Sequence, residues 1–550
     1  MPGRWFLAIS VVSLSTFALE AQVTSDRLLR AAQEPQNWLS YSGGYASQRH
    51  SALKQIDPTN AKNLEQKWVY QVDSSLQNFE ATPLVVDGIM YVTQPINDVV
   101  ALDAKTGRAF WIYRHNLPND IKPCCGSVNR GLAISGNTLF LGTLDGKLIA
   151  LDAKNGKPVW TVNVAPNYNT GYSLTHAPLV IKDKVIVGVA GGEFGIRGFI
   201  AAFEVTTGKE AWRFYTIPGP GEPGHETWQG EDWQHGGAPV WLTGSYDPDL
   251  NLTYWGIGNP GPDWNPDQRH GDNLYASCVV ALDADSGKLK WYYQFTPNDA
   301  YDYDAVQIPV LVDMDWNGAR RKLMFWANRN GNFYVLDRTN GQFLLGKPFV
   351  KVNWMSGFDA KGRPIQTPAK EGQPTFPGNQ GATNWYSPSY NPASGLFYVS
   401  IWDNYGSVYR KQEQQYRPGQ VFGGGQPRPF VPVPNAPAVP TLRRGPINNW
   451  TEAVGYGGII AIDPHTGNRE WTYTMTDVTD SGILTTDSNV LFSGGREGYF
   501  QALDAKNGRL LWKMNLGGQM AAGPISYQVD GKQYVVIAAG HALFAFGLRD

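Results

Sequence analysis

One phrase recurs along this chain and restricts its fold more than any other feature. It is an apolar strand ending in an acidic residue, a glycine-bearing turn, and a second strand ending in a large apolar residue. It reads ALDAKTGRAFW up to Trp111, ALDAKNGKPVW up to Trp160, AFEVTTGKEAW up to Trp212 and ALDADSGKLKW up to Trp291. VLDRTNGQFLL follows up to Leu345, AIDPHTGNREW up to Trp471 and ALDAKNGRLLW up to Trp512. The glycine can take positive φ in the turn, and the terminal aromatic can pack between sheets. Hairpins repeating at roughly 40 to 50 residues predict an all-β chain, an eight-bladed β-propeller of four-stranded antiparallel blades. The acidic residues Asp103, Asp152, Glu204, Asp283, Asp337, Asp463 and Asp504 are spaced by 49, 52, 79, 54, 126 and 41. The interval of 126 has room for one unmarked blade, expected to take its hairpin from YSPSYNPASGLFYVSIW, residues 386–402. The strand around LEQKWVYQV and the C-terminal HALFAFGL are expected to share a blade and close the ring.

The first 21 residues read differently. Arg4 precedes an apolar run from Trp5 to Leu19, and Ala21 offers a small residue for cleavage. This is the pattern of a secretory signal, too short and wrongly flanked for a stable span, with a bare membrane anchor as the alternative. No later apolar run is long enough to cross a bilayer. Residues 22–550 are therefore expected as one soluble, periplasmic propeller, in a compartment where a disulfide persists. The net charge of −2 argues against a nucleic-acid partner, which would require a basic surface. Residues 417–449, with eight prolines and the run FGGG, form a long loop rather than a blade. A disordered connector and an ordered lid or docking loop are both open.

Outside the repeats, several short stretches carry chemistry. CCGSVNRG, Cys124 to Gly131, places two cysteines side by side in a chain with only one other, Cys278. A bond between neighbours would close a very small ring, because adjacent Cα atoms lie about 3.8 Å apart. The pair alone is equally compatible with two free thiols on a loop. Cys278, in ASCVVALD, alternates like a buried strand residue. GGEFGIRG sets Glu193 among glycines, GIGNPGPDW holds Asn259 in a Gly/Pro turn, and NDAYDYDAV supplies Asp302 and Asp304 on one side of an extended segment. Each could merely cap a turn. Together, carboxylate and amide oxygens from separate blades suit a hard, oxygen-seeking cation.

CCGSVNRG, GGEFGIRG, GNPGPDW, YDYD and NRNGNFYVLDRTNG together resemble the pyrroloquinoline quinone (PQQ) dependent alcohol dehydrogenases of methanol and ethanol dehydrogenase type, from about Trp38 to the C-terminus. The resemblance implies that Cys124 and Cys125 form a vicinal disulfide against one face of the planar quinone, with Trp241 on the other. It implies Arg130 as a bidentate partner of a PQQ carboxylate, and places Glu80, Thr175, Gly191, Gly192 and Asn384 around the cofactor. It assigns Glu193, Asn259, Asp302 and Asp304 to a metal ion. Asp302 would be the general base taking the hydroxyl proton, and Arg329 would stand beside the reactive quinone oxygens. A surface arginine in a turn is the alternative for Arg329.

The activity so implied is oxidation of a primary alcohol to its aldehyde by hydride transfer to PQQ. No Cys-x-x-Cys-His occurs, so no c-type haem is attached and electrons would pass to a separate soluble cytochrome c. A homodimer is among the assemblies open to such a chain. Ala190, Pro239 and Asp480 depart from the serine, threonine and tryptophan frequent in the family, and the C-terminal Gly-Gly-Trp of methanol dehydrogenases is missing; these changes bear on the substrate. DYD resembles the lanthanide-dependent branch, where the calcium enzymes have a small residue at the position of Asp304. A lanthanum- or cerium-type ion is therefore expected in preference to calcium. A quinoprotein acting on sugars or polyols and a non-catalytic propeller scaffold are the rival readings.

Overall fold

The structure, a computed structural model, describes residues 23–72, 79–370, 372–430 and 455–549. The leader expected at residues 1–21 and, of the loop expected at 417–449, residues 431–449 lie outside them. Eight four-stranded antiparallel sheets follow one another along the chain, one of them extended by a short fifth strand. Blades 1 to 5 occupy residues 84–113, 133–163, 179–215, 245–294 and 310–348; blade 6 spans 389–475 and blade 7 spans 484–515. Blade 8 combines Ile525–Val529, Lys532–Ala539 and Ala542–Leu548 with the N-terminal strand Leu64–Gln71, which pairs antiparallel to Ala542–Leu548 and closes the ring.

The repeated phrase is the third strand, turn and fourth strand of a blade. In blade 2, the Asp152 carboxylate accepts from the Lys154 N–H at 2.7 Å, and its carbonyl accepts from the Gly156 N–H at 2.8 Å. Gly156 takes φ +71°, and a Cβ there would lie 2.6 Å from the Trp111 indole. That indole comes from blade 1 and donates Nε1–H to the Ala153 carbonyl at 3.1 Å. The phrase is thus an inter-blade latch, in which the terminal tryptophan of blades 1 to 4 and of blade 6 seats on the next blade's turn. Trp68 of blade 8 latches onto Gly107 and the Ala104 carbonyl of blade 1 in the same way, so the closure reuses the repeat. The junction of blades 5 and 6 is the variant: Leu345 replaces the tryptophan and, with Lys347, faces Gly467. We expect Gly156→Ala to cost about 2–4 kcal/mol, from strain at positive φ plus the clash with the indole. Gly467→Ala, which meets only movable side-chain atoms at 3.0–3.1 Å, should cost about 1 kcal/mol. Denaturation midpoints of the two variants check this, and equal shifts would refute the latch.

The count of eight blades holds, but the unmarked blade was misplaced. Ser389–Asn391 and Leu396–Asp403 are the inner half of the blade that Asp463 marks. The interval of 126 arises because residues 404–455 are inserted between the second and third strands of that blade. The blade without its own phrase is the closing one. Residues 38–51 also lace inner strands together: main-chain bonds join Trp38 to Val85, Tyr45 to Tyr246, Ala46 to Leu311 and Gln48 to Tyr390, and His50–Ser51 adds a parallel strand to blade 7. Among the described residues no helix is long and apolar enough to cross a membrane. Cys278 is fully buried in the core between blades.

Candidate active site

Propeller topology explains why residues so scattered in sequence can meet. The first strand of each blade starts at the same end of the ring at which the second strand finishes. Glu80, Arg130, Thr175, Trp241, Asp304, Asn384 and Asp480 each stand three to six residues before the first strand of blades 1 to 7 in turn. Glu193, Asn259 and Arg329 follow the second strands of blades 3, 4 and 5. All ten therefore lie at one end of the ring.

On one side of this end, Arg130 and Glu80 form a buried ion pair at 2.8 Å, and the Arg130 guanidinium lies 5.0 Å from the Trp241 ring centroid. Burial raises the Glu80 carboxyl above its ordinary value, opposed by Arg130. The Thr175 hydroxyl donates to the Trp241 carbonyl at 3.4 Å. Gly191 takes φ +113°, and a side chain there would strike the Gly171 carbonyl; one at Gly192 would strike Pro239 at 2.8 Å. Arg130 Nε, Ser173 Oγ, Asn384 Oδ1 and Asp480 Oδ1 are buried without a hydrogen-bond partner. Unsatisfied groups of this kind are costly in a finished core. Arranged around one end of the ring, they suit a bound polar molecule that offers acceptors to Arg130 and Ser173 and donors to Asn384 and Asp480.

On the other side, Cys124 and Cys125 are joined as a disulfide, and Cys125 Sγ lies 3.6 Å from Glu193 Oε1. Arg329 reaches between two carboxylates, with Nη2 at 2.9 Å from Asp302 and Nη1 at 2.7 Å from Asp304. The guanidinium also donates to the Asn379 carbonyl. Asp304 is buried, and its second oxygen accepts from the Asn259 backbone N–H at 2.7 Å. Burial pushes Asp302 well above the usual carboxylate range and raises Asp304 also, Arg329 opposing both. Glu193, half-buried beside Asp304, is pushed up to about 7 by desolvation and the neighbouring charge. Three neighbouring carboxyls with raised pKa values, beside the Asn259 amide, suit a cation, which would reverse those shifts.

Several contributors escaped sequence reasoning. Asp299 is buried, and its carboxylate accepts from the Tyr301 and Tyr303 N–H groups at 2.9 and 2.7 Å. These bonds clamp both sides of Asp302, which sits at φ +63°. Buried Arg269 joins the two metal-side loops by donating to the carbonyls of Pro262, Asp263 and Asp299. Asp480 pairs with Arg496 at 2.8 Å. Both Asp263 and Asp299 lie in quoted motifs, and what distinguishes them is burial, which no motif displays.

Of the proline-rich segment, residues 417–430 are among the described residues. Ser407–Lys411 and Gly425–Pro429 pair as a ribbon. The chain between them docks on the metal-side loops: the Phe422 N–H donates to the Glu193 carbonyl at 2.6 Å, and the Gly423 carbonyl accepts from the Trp264 N–H at 2.9 Å. Tyr416 stacks on His235, with ring centroids 3.5 Å apart.

The chain matches the family model described as glucose/ethanol/alcohol dehydrogenase, beta-propeller domain, over residues 38–353 and 351–535. It is 38% identical to the quinoprotein alcohol dehydrogenase PedH of Pseudomonas putida, across 98% of this chain and 92% of that protein. It is 37% identical to a 1-butanol dehydrogenase (cytochrome c) of Thauera butanivorans, across 92% and 74%. A europium-containing methanol dehydrogenase superposes with TM-score 0.87 at 32% identity, covering 95% of this chain and all of that one. With a vicinal disulfide, a carboxylate cluster and a ring of unsatisfied polar atoms at one end of its propeller, the chain belongs to the PQQ-dependent quinoprotein alcohol dehydrogenases.

Proposed function

We propose that this protein is an exported, periplasmic dehydrogenase that oxidises short, largely apolar primary alcohols with PQQ and a lanthanide ion, and passes electrons to a soluble cytochrome c. The observation that carries the reading is the oxygen cluster of Glu193, Asn259, Asp302 and Asp304 lying against the Cys124–Cys125 disulfide and bridged by Arg329. Bound there, PQQ supplies the hydride acceptor and the metal the Lewis acid.

The chain supplies the rest. Arg130, with Nε free, would bind a cofactor carboxylate, with Glu80, Thr175 and Asn384 as further polar contacts. Trp241 and the disulfide would cap the flat faces, and Gly191 and Gly192 keep the backbone low enough to admit it. Glu193, Asn259, Asp302 and Asp304 would hold the metal. Asp302 would accept the alcohol's proton at a carboxylate oxygen, and Arg329 would stabilise negative charge that develops beside it. The docked ribbon brings Phe422 and Tyr416 near Glu193, and this apolar cover favours alcohols over sugars or polyols, whose extra hydroxyls would lack partners. It also limits water at the site.

The 1-butanol dehydrogenase is named for a cytochrome c acceptor. The same external acceptor is proposed here. The test is reconstitution of the purified protein with PQQ and metal. The expected result is a quinone absorbance band that a primary alcohol bleaches and an added cytochrome c restores. No band, or bleaching by sugars but not by alcohols, would overturn the reading.

A further inference from the structure

The residues inserted into blade 6 add no strand to that blade, and their first strand, Ser407–Lys411, touches the loops on both sides of the Arg329–Asp302 ion pair. On the Arg329 side, Ser407 is 2% exposed, and its hydroxyl accepts from the Asn379 N–H and donates to Asn379 Oδ1, both at 3.1 Å. A serine hydroxyl can donate and accept at once, so it matches both groups. The Ser407 and Thr375 main chains also exchange N–H to carbonyl bonds, at 3.0 and 2.9 Å. Asn379 so fixed presents its carbonyl to Arg329 Nε at 3.2 Å and to Nη2. Two residues after Ser407, and on the same face of the strand, stands Tyr409. Its hydroxyl donates to the Tyr301 carbonyl at 3.1 Å, and its ring meets the Tyr301 ring edge-on with centroids 5.5 Å apart. Tyr301 directly precedes Asp302.

Resting on the proposed function, we infer that Ser407 and Tyr409 are positioning residues for the reaction, through which the first strand of the insertion sets Arg329 against Asp302. The Arg329 guanidinium is shared among three acceptors: the carboxylates of Asp302 and Asp304 and the Asn379 carbonyl. The carbonyl is the neutral one, and its place does not depend on what the carboxylates bind. Ser407 fixes it through two bonds, and without them a loop carbonyl would hold the guanidinium less firmly. Tyr409 acts in the same way on the main chain that carries Asp302. A proton acceptor and a charge-stabilising group must keep their spacing closely, because a displacement of about 1 Å can cost about 10²-fold in rate. The fold does not rest on these contacts alone. The Tyr303 hydroxyl ties the Asp302 loop to the Pro377 carbonyl, and Asp299 clamps the turn.

The full chain, reconstituted with PQQ and whichever of cerium and calcium supports turnover, is compared with Ser407→Ala and Tyr409→Phe. Ser407→Ala removes both bonds to Asn379, and Tyr409→Phe removes a single hydroxyl. Each should lower kcat about tenfold, with KM for the alcohol within about twofold and the thermal midpoint nearly unchanged. Ser407→Thr keeps the hydroxyl and should keep most of the turnover. Ser407→Ala should also shift the absorbance band of the bound quinone before any alcohol is added, because it frees a guanidinium at the site. If wild type takes up no PQQ, or an alcohol does not bleach its band, the proposed function fails and this inference with it. If wild type turns over and both variants match it in kcat, the inference alone fails. A loss of kcat that tracks the thermal midpoint and cofactor uptake would make the two residues supports of the fold, which also overturns it. Tyr409→Phe decides the matter even if Ser407→Ala does not fold.

Discussion

Asp302→Asn is expected to lower turnover by roughly 10²–10⁴-fold, the range for loss of a general base, while the protein still takes up PQQ. The substitution is nearly isosteric, so the Arg329 Nη2 that lies 2.9 Å from Asp302 keeps an oxygen to donate to. The turn that presents the residue is also untouched. Its positive φ is held by bonds from the Tyr301 and Tyr303 N–H groups to Asp299, not by Asp302 itself. An amide cannot accept the hydroxyl proton, and the neighbouring aspartate is less accessible: Asp304 is 5% exposed and held by both Arg329 and the Asn259 N–H. Cofactor uptake by absorbance and turnover with a primary alcohol separate the two effects. Turnover within a few-fold of wild type would remove Asp302 as the base. Loss of PQQ together with activity would make it a binding residue instead.

The blade was legible in sequence because its parts are local. An acid capping a turn, a glycine at positive φ and a tryptophan eight residues after the acid leave a period that can be read without knowing the fold. What the period could not reveal is the partner. Trp111 packs on Gly156 and not on its own hairpin, so the latch is a contact across 45 residues. The misplaced blade has the same origin, because an insertion between the second and third strands is invisible to a search for the third and fourth. At the site, the residues found were those in distinctive surroundings: Glu193 among glycines, the paired cysteines, the closely spaced Asp302 and Asp304. Asp263 and Asp299 were passed over although GNPGPDW and NDAYDYD contain them. An aspartate in a loop normally caps a turn in water, and only full burial beside other acids gives these two a different meaning. Arg269 is a stronger case, since its contacts are to carbonyls of two loops that meet only in the folded ring.

Activity is expected to be high with lanthanum or cerium and about tenfold or more lower with calcium, and Asp304→Ala should abolish the lanthanide advantage. The argument is electrostatic. Glu193, Asp302 and Asp304 bring three carboxylates together, and among the described residues Arg329 is the side-chain cation paired to the two aspartates. The attraction of such a cluster scales with the charge of the ion, so a trivalent ion gains more from it than a divalent one. Early lanthanides are close to calcium in size and share its preference for many oxygen ligands, so selection by charge needs no rebuilt cavity. A higher ionic charge also makes a stronger Lewis acid beside the bound quinone. Asp304→Ala removes one charge, but it also strips Arg329 Nη1 and the Asn259 N–H of an acceptor, so it could act by disorder alone. Asp304→Asn is the sharper variant, because it retains size and an acceptor while removing charge. If charge is what selects the ion, both variants should move the cerium-to-calcium activity ratio towards unity. Asp304→Asn should do so with little change in thermal midpoint. Equal activity with both ions in wild type, unaltered by either variant, would sink the lanthanide assignment and leave the quinoprotein reading standing.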